Sequence, residues 1–124
     1  MEKKTDRKIM IVDDSRGVLE AFDALLGEDY TLITVENGYR AMNILCDNRP
    51  SLIFMDVHMP GMDGMRLLAC IRDKGICSNV VIVSGASEEG IEEEADALGA
   101  YAYVRKPFDI EEIEEIAERV LGPG

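Results

Sequence analysis

The chain has 124 residues, which is enough for one domain with a substantial core and too few for two. It is 47% hydrophobic and 31% charged, with a net charge of −12, so long-range attraction to nucleic acid or to anionic lipid is disfavoured. The N-terminal residues are polar, and no apolar run approaches the ~18 residues of a membrane span, so we expect one cytoplasmic domain over residues 1–124.

The first part of the chain alternates between strand-like and helix-like patterns. Lys8–Val12 is a short apolar strand, and residues 15–27 carry apolar side chains at helical spacing. Tyr30–Val35 is rich in β-forming residues and predicts a second strand. A break at Asn37-Gly38 precedes a second helical stripe at residues 41–45.

The middle of the chain has a buried strand that ends in a carboxylate. Leu52–Asp56 consists of four apolar residues followed by an aspartate, so this strand delivers one charge to its C-terminal end. Pro60-Gly61 predicts a turn, and a third helix is predicted over Asp63–Lys74 with Asp63 as its N-cap.

The last part of the chain predicts two further strand–helix pairs. Val80–Val83 has no polar interruption and is predicted to be buried on both faces, and Ser87 is an N-cap for a helix over residues 88–98. Ala100–Arg105 is less apolar, as an edge strand would be, and Asp109 begins a last helix with a capping-box-like pattern. The apolar stripe of that helix consists of Ile110, Ile113, Ile116, Ala117, Val120 and Leu121.

Five strands therefore alternate with five helices, which predicts an α/β fold with a doubly wound parallel sheet. The three cysteines, Cys46, Cys70 and Cys77, lack a C-x-x-C spacing. They indicate a reducing compartment and argue against a disulfide framework or a zinc site. We expect them to be small, partly buried hydrophobic residues.

Polar side chains follow four of the predicted strands. Asp13 and Asp14 follow the first strand, Asp56 the third, Ser84 the fourth and Lys106 the fifth. If the first strand is central and lies beside the third, three carboxylates converge at one edge of the sheet. Such carboxylates repel one another unless a cation lies among them, and oxygen ligands favour Mg²⁺. A carboxylate beside Mg²⁺, a hydroxyl and an ammonium group is an arrangement for phosphoryl transfer.

These polar residues lie in four of the five short motifs that together resemble one family. The chain resembles, from Lys8 to Leu121, the receiver domain of two-component response regulators, in the stand-alone form of the chemotaxis regulator CheY. The motifs are Val12-Asp13-Asp14-Ser15, Met55-Asp56 with Met59-Pro60 and Met62-Asp63-Gly64, Ser84-Gly85-Ala86, Gly99-Ala100, and Lys106-Pro107-Phe108.

The resemblance implies a flavodoxin-like, CheY-like sheet with strand order 2-1-3-4-5. It implies that Asp56 is the phosphoacceptor, taking a phosphoryl group from a sensor histidine kinase or a phosphotransfer protein. Asp13 and Asp14 would hold Mg²⁺ together with Asp56 and the backbone carbonyl of His58. The His58 side chain itself is expected to be an exposed loop residue.

The resemblance also assigns a switching role to three residues. Ser84 would hydrogen-bond one phosphoryl oxygen, Lys106 would pair with another, and the Lys106–Pro107 bond is expected to be cis. Tyr103 would be the aromatic residue that changes rotamer with Ser84. The result would be a signalling switch that changes its helix 4–strand 5–helix 5 face to control a protein partner, and not a turnover enzyme.

Three alternatives agree less well with the residues. A haloacid-dehalogenase-type phosphohydrolase needs an acid two positions after its nucleophile, where this chain has His58. A flavodoxin-like FMN protein needs a phosphate loop after the first strand, where Asp13 and Asp14 would repel the phosphate. A degenerate receiver usually lacks an acidic or lysine position, and none is missing here.

The C-terminal third is strongly acidic. Residues 87–124 carry 12 of the 25 acidic side chains but only 3 of the 13 basic ones. Symmetric dimerisation through helices 4 and 5 would bring like charges together, so we expect a monomer whose partner has a basic or mixed surface. The acidic residues of the two helices are Glu88, Glu89, Glu92, Glu93, Glu94, Asp96, Asp109, Glu111, Glu112, Glu114, Glu115 and Glu118.

Overall fold

The computed structural model describes residues 7–85 and 89–122, which form one parallel sheet flanked by helices. The strands are β1 (Lys8–Val12), β2 (Thr31–Val35), β3 (Leu52–Met55), β4 (Asn79–Ser84) and β5 (Ala102–Arg105). The helices are α1 (Arg16–Leu26), α2 (Gly38–Leu45), α3 (Gly64–Asp73), α4 (Ile91–Ala97) and α5 (Ile110–Leu121). The strand order β2-β1-β3-β4-β5 confirms the predicted fold class.

The register of the sheet determines which strand ends meet. β1 is central and pairs in parallel with both β2 and β3, and Val12 lies opposite Met55 in the second pairing. The residues that follow, Asp13 and Asp56, therefore leave the sheet side by side. All four residues of β3 are buried, as expected for a strand covered on both faces.

The two faces of the sheet have cores of different composition. Helices α2, α3 and α4 pack on one face and α1 and α5 on the other. The first core contains five buried methionines, Met10, Met55, Met59, Met62 and Met65. In the second core the ring centroid of Phe22 lies 5.0 Å from that of Phe54 and 5.1 Å from that of Phe108, so all three phenylalanines of the chain pack together with tilted rings.

The start of α4 differs from the prediction. The predicted cap Ser87 and first residue Glu88 lie outside the described residues, and the helix begins at Ile91. Gly90 precedes it in a left-handed conformation with φ of 89°, which is incompatible with a continuing α-helix. The glutamates before Gly90 had suggested a longer helix than this backbone permits.

The structure extends one smaller prediction and corrects two others. Asn37 is a cap whose side chain accepts a hydrogen bond from the Arg40 amide, so Asn37-Gly38 starts a helix and does not merely break the chain. Ile110 is 58% exposed because it precedes the turn of α5 that packs on the sheet. Cys46 and Cys77 are exposed and not partly buried, because both lie in connections beyond the ends of helices.

Candidate functional site

Asp56 lies immediately after β3 and is buried, with 8% of its surface exposed. Its amide donates a hydrogen bond to the Val12 carbonyl at 2.9 Å, which extends the β1–β3 pairing by one residue. Gly64 allows α3 to start close behind this residue, because a Cβ there would lie 2.1 Å from the Asp56 carbonyl oxygen. The Gly64 amide donates to the Val57 carbonyl, which closes the loop after Asp56.

Asp13 and Asp14 follow β1 on the same edge of the sheet. Asp13 is 2% exposed, and its Oδ1 accepts a hydrogen bond from the Ser15 amide at 2.9 Å. Asp14 is exposed. One carboxylate oxygen from each of Asp13, Asp14 and Asp56 lies within 4.8 Å of the other two, so the three residues can hold a divalent cation through oxygen ligands.

Lys106 extends from the end of β5 into this cluster. Its Nζ lies 2.8 Å from Asp13 Oδ2 and 3.6 Å from Asp56 Oδ2. Its amide donates to the Ser84 carbonyl, and the Lys106–Pro107 peptide bond is cis, as expected. The ammonium group is thus held between the two buried carboxylates and is closer to Asp13.

Ser84 and His58 adjoin the cluster through backbone hydrogen bonds, whereas Tyr103 lies on β5 beside α4. Ser84 is the last residue of β4 and is 1% exposed. Tyr103 lies on β5 opposite Ile82 and packs against the core beneath α4, so its side chain is on the same face of the sheet as Ser84. His58 is exposed in the loop after Asp56, as expected for its side chain.

Burial raises the pKa of the Asp56 carboxyl above its ordinary value, and the neighbouring Asp13 charge raises it further. The Lys106 ammonium opposes this shift, as do hydrogen bonds from the backbone amides of Val57 and His58. Because the folded-state pKa is raised, ionised Asp56 destabilises the metal-free fold. The free energy of unfolding therefore contains a favourable contribution from the neutral Asp56 carboxyl. This contribution is fully present below the ordinary carboxyl pKa and is lost as pH rises through the raised folded-state pKa.

We therefore expect Asp56→Asn to stabilise the metal-free protein at pH 7. The melting temperature should rise by roughly 3–6 °C, which corresponds to about 1 kcal/mol in a domain of this size. The increase should shrink as pH falls towards the ordinary carboxyl pKa, where wild-type Asp56 is neutral too. Thermal denaturation in EDTA from pH 4 to 8 measures this, with exposed Asp47→Asn as the control for loss of one charge. An equal gain in Asp47→Asn would contradict the assignment to burial.

Two features of the site were not predicted from the sequence. The first is the contact of Lys106 with Asp13, since strand order alone places Lys106 near the edge without choosing a carboxylate. The second is the donation by the Val57 and His58 amides to Asp56, which depends on the loop conformation. The predicted Asp13, Asp14, Asp56 and Lys106 are all brought together.

Comparison with known proteins agrees with this geometry. The model of the response regulator receiver domain matches residues 9–118. Sporulation initiation phosphotransferase F of Bacillus subtilis is 35% identical over 119 residues, covering 94% of both chains. The DNA-binding transcriptional regulator NtrC of Escherichia coli is 36% identical over 116 residues, covering 91% of this chain but only 24% of NtrC.

A solved structure shows the same fold. The chemotaxis protein CheY4 of Vibrio cholerae superposes with a TM-score of 0.84 at 25% identity, covering 93% of this chain and 98% of that one. The family match includes the sheet apart from its first residue, Lys8, and every residue of the carboxylate–lysine cluster. The chain therefore belongs to the family of response regulator receiver domains.

Proposed function

We propose that this chain, as a single receiver domain over residues 1–124, is a switch that is phosphorylated on Asp56 by a sensor histidine kinase or a phosphotransfer protein. The observation that carries the proposal is the buried Asp56 carboxylate, which shares one edge of the sheet with Asp13, Asp14 and Lys106. In the proposed step a carboxylate oxygen of Asp56 bonds to phosphorus while the phosphorus–nitrogen bond of a phosphohistidine breaks. The bonding pair stays on the imidazole nitrogen, and Asp56 becomes an acyl phosphate.

The surrounding residues would balance the added charge. Mg²⁺, held by Asp13, Asp14, Asp56 and the backbone carbonyl of His58, would supply positive charge next to the phosphoryl oxygens. Lys106 would pair with one phosphoryl oxygen, and the Ser84 hydroxyl would donate a hydrogen bond to another. The oxygen-only donor set and the short distances among the three aspartates support a hard cation at this position.

Incubation with acetyl phosphate and Mg²⁺ tests the proposal. Intact mass should increase by one phosphoryl group, and treatment with base should remove it, because acyl phosphates are hydrolysed readily. EDTA should prevent the uptake. Uptake in the absence of any divalent cation, or a base-stable product, would contradict the proposed chemistry. The domain would turn over only its own phosphoryl group and no external substrate.

The signal would leave the site through β5. Movement of Ser84 and Lys106 towards the phosphoryl group would favour an inward rotamer of Tyr103, because each residue interacts better with the charged state. Tyr103 lines a groove of about 310 Å³ between α4 and β5, together with Glu92, Glu93 and Asp96. A change in this side chain would alter the face formed by α4, β5 and α5, which we propose as the surface for a downstream protein.

The exposed side chains of this face are mostly acidic. Nine carboxylates project to solvent from its two helices: Glu92, Glu93, Glu94 and Asp96 on α4, and Glu111, Glu112, Glu114, Glu115 and Glu118 on α5. Basic or mixed protein surfaces fit it by charge, and direct nucleic-acid binding is disfavoured. NtrC is named as DNA-binding, but the match with this chain covers only 24% of that protein.

The activated protein is accordingly expected to remain monomeric at physiological salt. Sedimentation velocity with beryllofluoride and Mg²⁺ as a phosphoryl mimic should show one monomeric species. At 1 M salt the screening length falls to about 3 Å, so association driven by other contacts would become detectable there first. A dimer that forms on activation at physiological salt, and is abolished by substitutions in α4 and α5, would overturn this expectation.

A further inference from the structure

Arg72, in the last turn of α3, connects the segment that follows its own helix with a second segment that is distant in sequence. Its Nη1 donates hydrogen bonds to the carbonyls of Ile76 at 3.0 Å and Ser78 at 2.9 Å, in the α3–β4 connection. Its Nε donates to the Leu98 carbonyl at 3.3 Å, and its Nη2 donates to the Gly99 carbonyl at 2.9 Å, just beyond α4. One guanidinium therefore binds four backbone carbonyls.

The Leu98 and Gly99 contacts complete the C-terminal end of α4. The last carbonyls of a helix lack intrahelical donors and carry partial negative charge, and α4 has no basic residue in its own last turn. Arg72 supplies both the donors and the positive charge from another helix. A Cβ at position 99 would lie 3.3 Å from Arg72 Nε, so glycine leaves room for this approach.

Arg72 makes no described hydrogen bond to the N-terminal end of α4. Gly90 is its N-cap and makes no side-chain capping hydrogen bond. Within α4 only Ile91 and Ala95 are buried. Charge-assisted hydrogen bonds from α3 thus fix the C-terminal end of the helix. At the N-terminal end, the described residues contribute the packing of Ile91 and the favourable charge of Glu92, Glu93 and Glu94 in the first turn.

We propose that Arg72 is a positioning residue that fixes the C-terminal end of α4, so that the helix responds to phosphorylation at its N-terminal end. The inference rests on the proposed function, because it concerns how a change at Asp56 reaches the α4–β5–α5 face. Ser84 ends β4 at the candidate site, and the chain from there enters α4 at Gly90, so a change arrives first at the end that Arg72 does not contact.

Hydrogen exchange with and without beryllofluoride and Mg²⁺ tests the inference. The Glu94 amide bonds to the Gly90 carbonyl and reports the N-terminal end, while the Leu98 and Ala100 amides bond to Glu94 and Ala95 and report the C-terminal end. In the wild type, beryllofluoride should change exchange at Glu94 and leave Leu98 and Ala100 nearly unchanged. In Arg72→Met, exchange at Leu98 and Ala100 should be roughly 10- to 100-fold faster, the range expected for lost charge-assisted hydrogen bonds, and should respond to beryllofluoride.

Two further variants make the result specific. Arg66→Met removes an exposed arginine from the same helix and should keep the wild-type pattern. Arg72→Lys keeps the charge but not the planar set of donors. It should therefore speed amide exchange at Leu98 and Ala100, as Arg72→Met does, but by a smaller factor. If Arg72→Met is too unstable to fold, Arg72→Lys is compared with the wild type in its place. Phosphoryl uptake should be unaffected in all three variants.

The possible failures are distinguishable. Equal responses of Glu94 and Leu98 in the wild type, or a wild-type pattern in both Arg72 variants, would overturn the positioning role and leave the proposed function intact. No response to beryllofluoride anywhere in the wild type, combined with no phosphoryl uptake, would overturn the proposed function and the inference together.

Discussion

Asp56→Asn is expected to take up no phosphoryl group from acetyl phosphate under conditions in which the wild type is labelled. The amide is neutral, so its oxygen is a far weaker nucleophile towards phosphorus than a carboxylate oxygen, and the amide cannot form the same acyl phosphate. The variant should remain folded, because the buried position already disfavours the charged carboxylate. Intact-mass spectrometry over the full time course measures the outcome.

Asp47→Asn is the matched control for this experiment, since it removes an exposed carboxylate from the connection after α2. It should be phosphorylated at the wild-type rate. Labelling that persists in Asp56→Asn would assign the phosphoryl group to another residue and reject Asp56 as the acceptor. Loss of labelling in both variants would indicate a general effect of net charge.

Lys106→Ala is expected to accept the phosphoryl group roughly 10- to 100-fold more slowly and to fail in switching. Its Nζ is the one side-chain cation that the described part of the chain places within 4 Å of Asp13 and Asp56. Without it, the developing charge on the phosphoryl oxygens loses one partner, and no ammonium group draws β5 towards the phosphorylated site. Label incorporation gives the rate, and amide chemical shifts of Tyr103 and its neighbours give the switch.

Lys74→Ala, at an exposed position just after α3, controls for the loss of a lysine and should match the wild type in both measurements. The decisive comparison uses the phosphorylated forms. If phosphorylated Lys106→Ala shows the same shift of Tyr103 as the phosphorylated wild type, Lys106 has no role in transmission. An unchanged rate would remove it from the transfer step.

Much of the fold follows from short-range sequence features. The apolar runs of β1, β3 and β4 are long enough to predict buried strands, and their carboxyl ends carry the polar residues of the site. Parallel pairing then requires Asp13 and Asp56 to meet, since β1 and β3 are neighbours. This part of the site needs only strand order, which the resemblance supplied.

Features that depend on tertiary contacts were not predictable in this way. The helical pattern of α4 does not reveal that Gly90 takes a left-handed conformation. Likewise, Arg72 looks like an ordinary charged residue at the end of a helix, and its four carbonyl partners are set by how α3 and α4 pack. The choice of Lys106 between two carboxylates depends on differences of less than 1 Å, which no residue pattern encodes.

One core of the sheet is rich in methionine and the other contains the three phenylalanines, so the two sides of the site should differ in how easily they deform. Phe108 follows Lys106-Pro107 and packs against Phe22, whose ring also packs against Phe54. These aromatic contacts make the backbone after Lys106 stiff, because large rings depend on specific packing geometry. The loop after Asp56 rests instead on methionines such as Met59 and Met62, whose unbranched side chains adapt to small displacements. When Lys106 and Ser84 move towards an added phosphoryl group, the backbone at Phe108 should therefore shift least, and the loop after Asp56 should adjust on the methionine side.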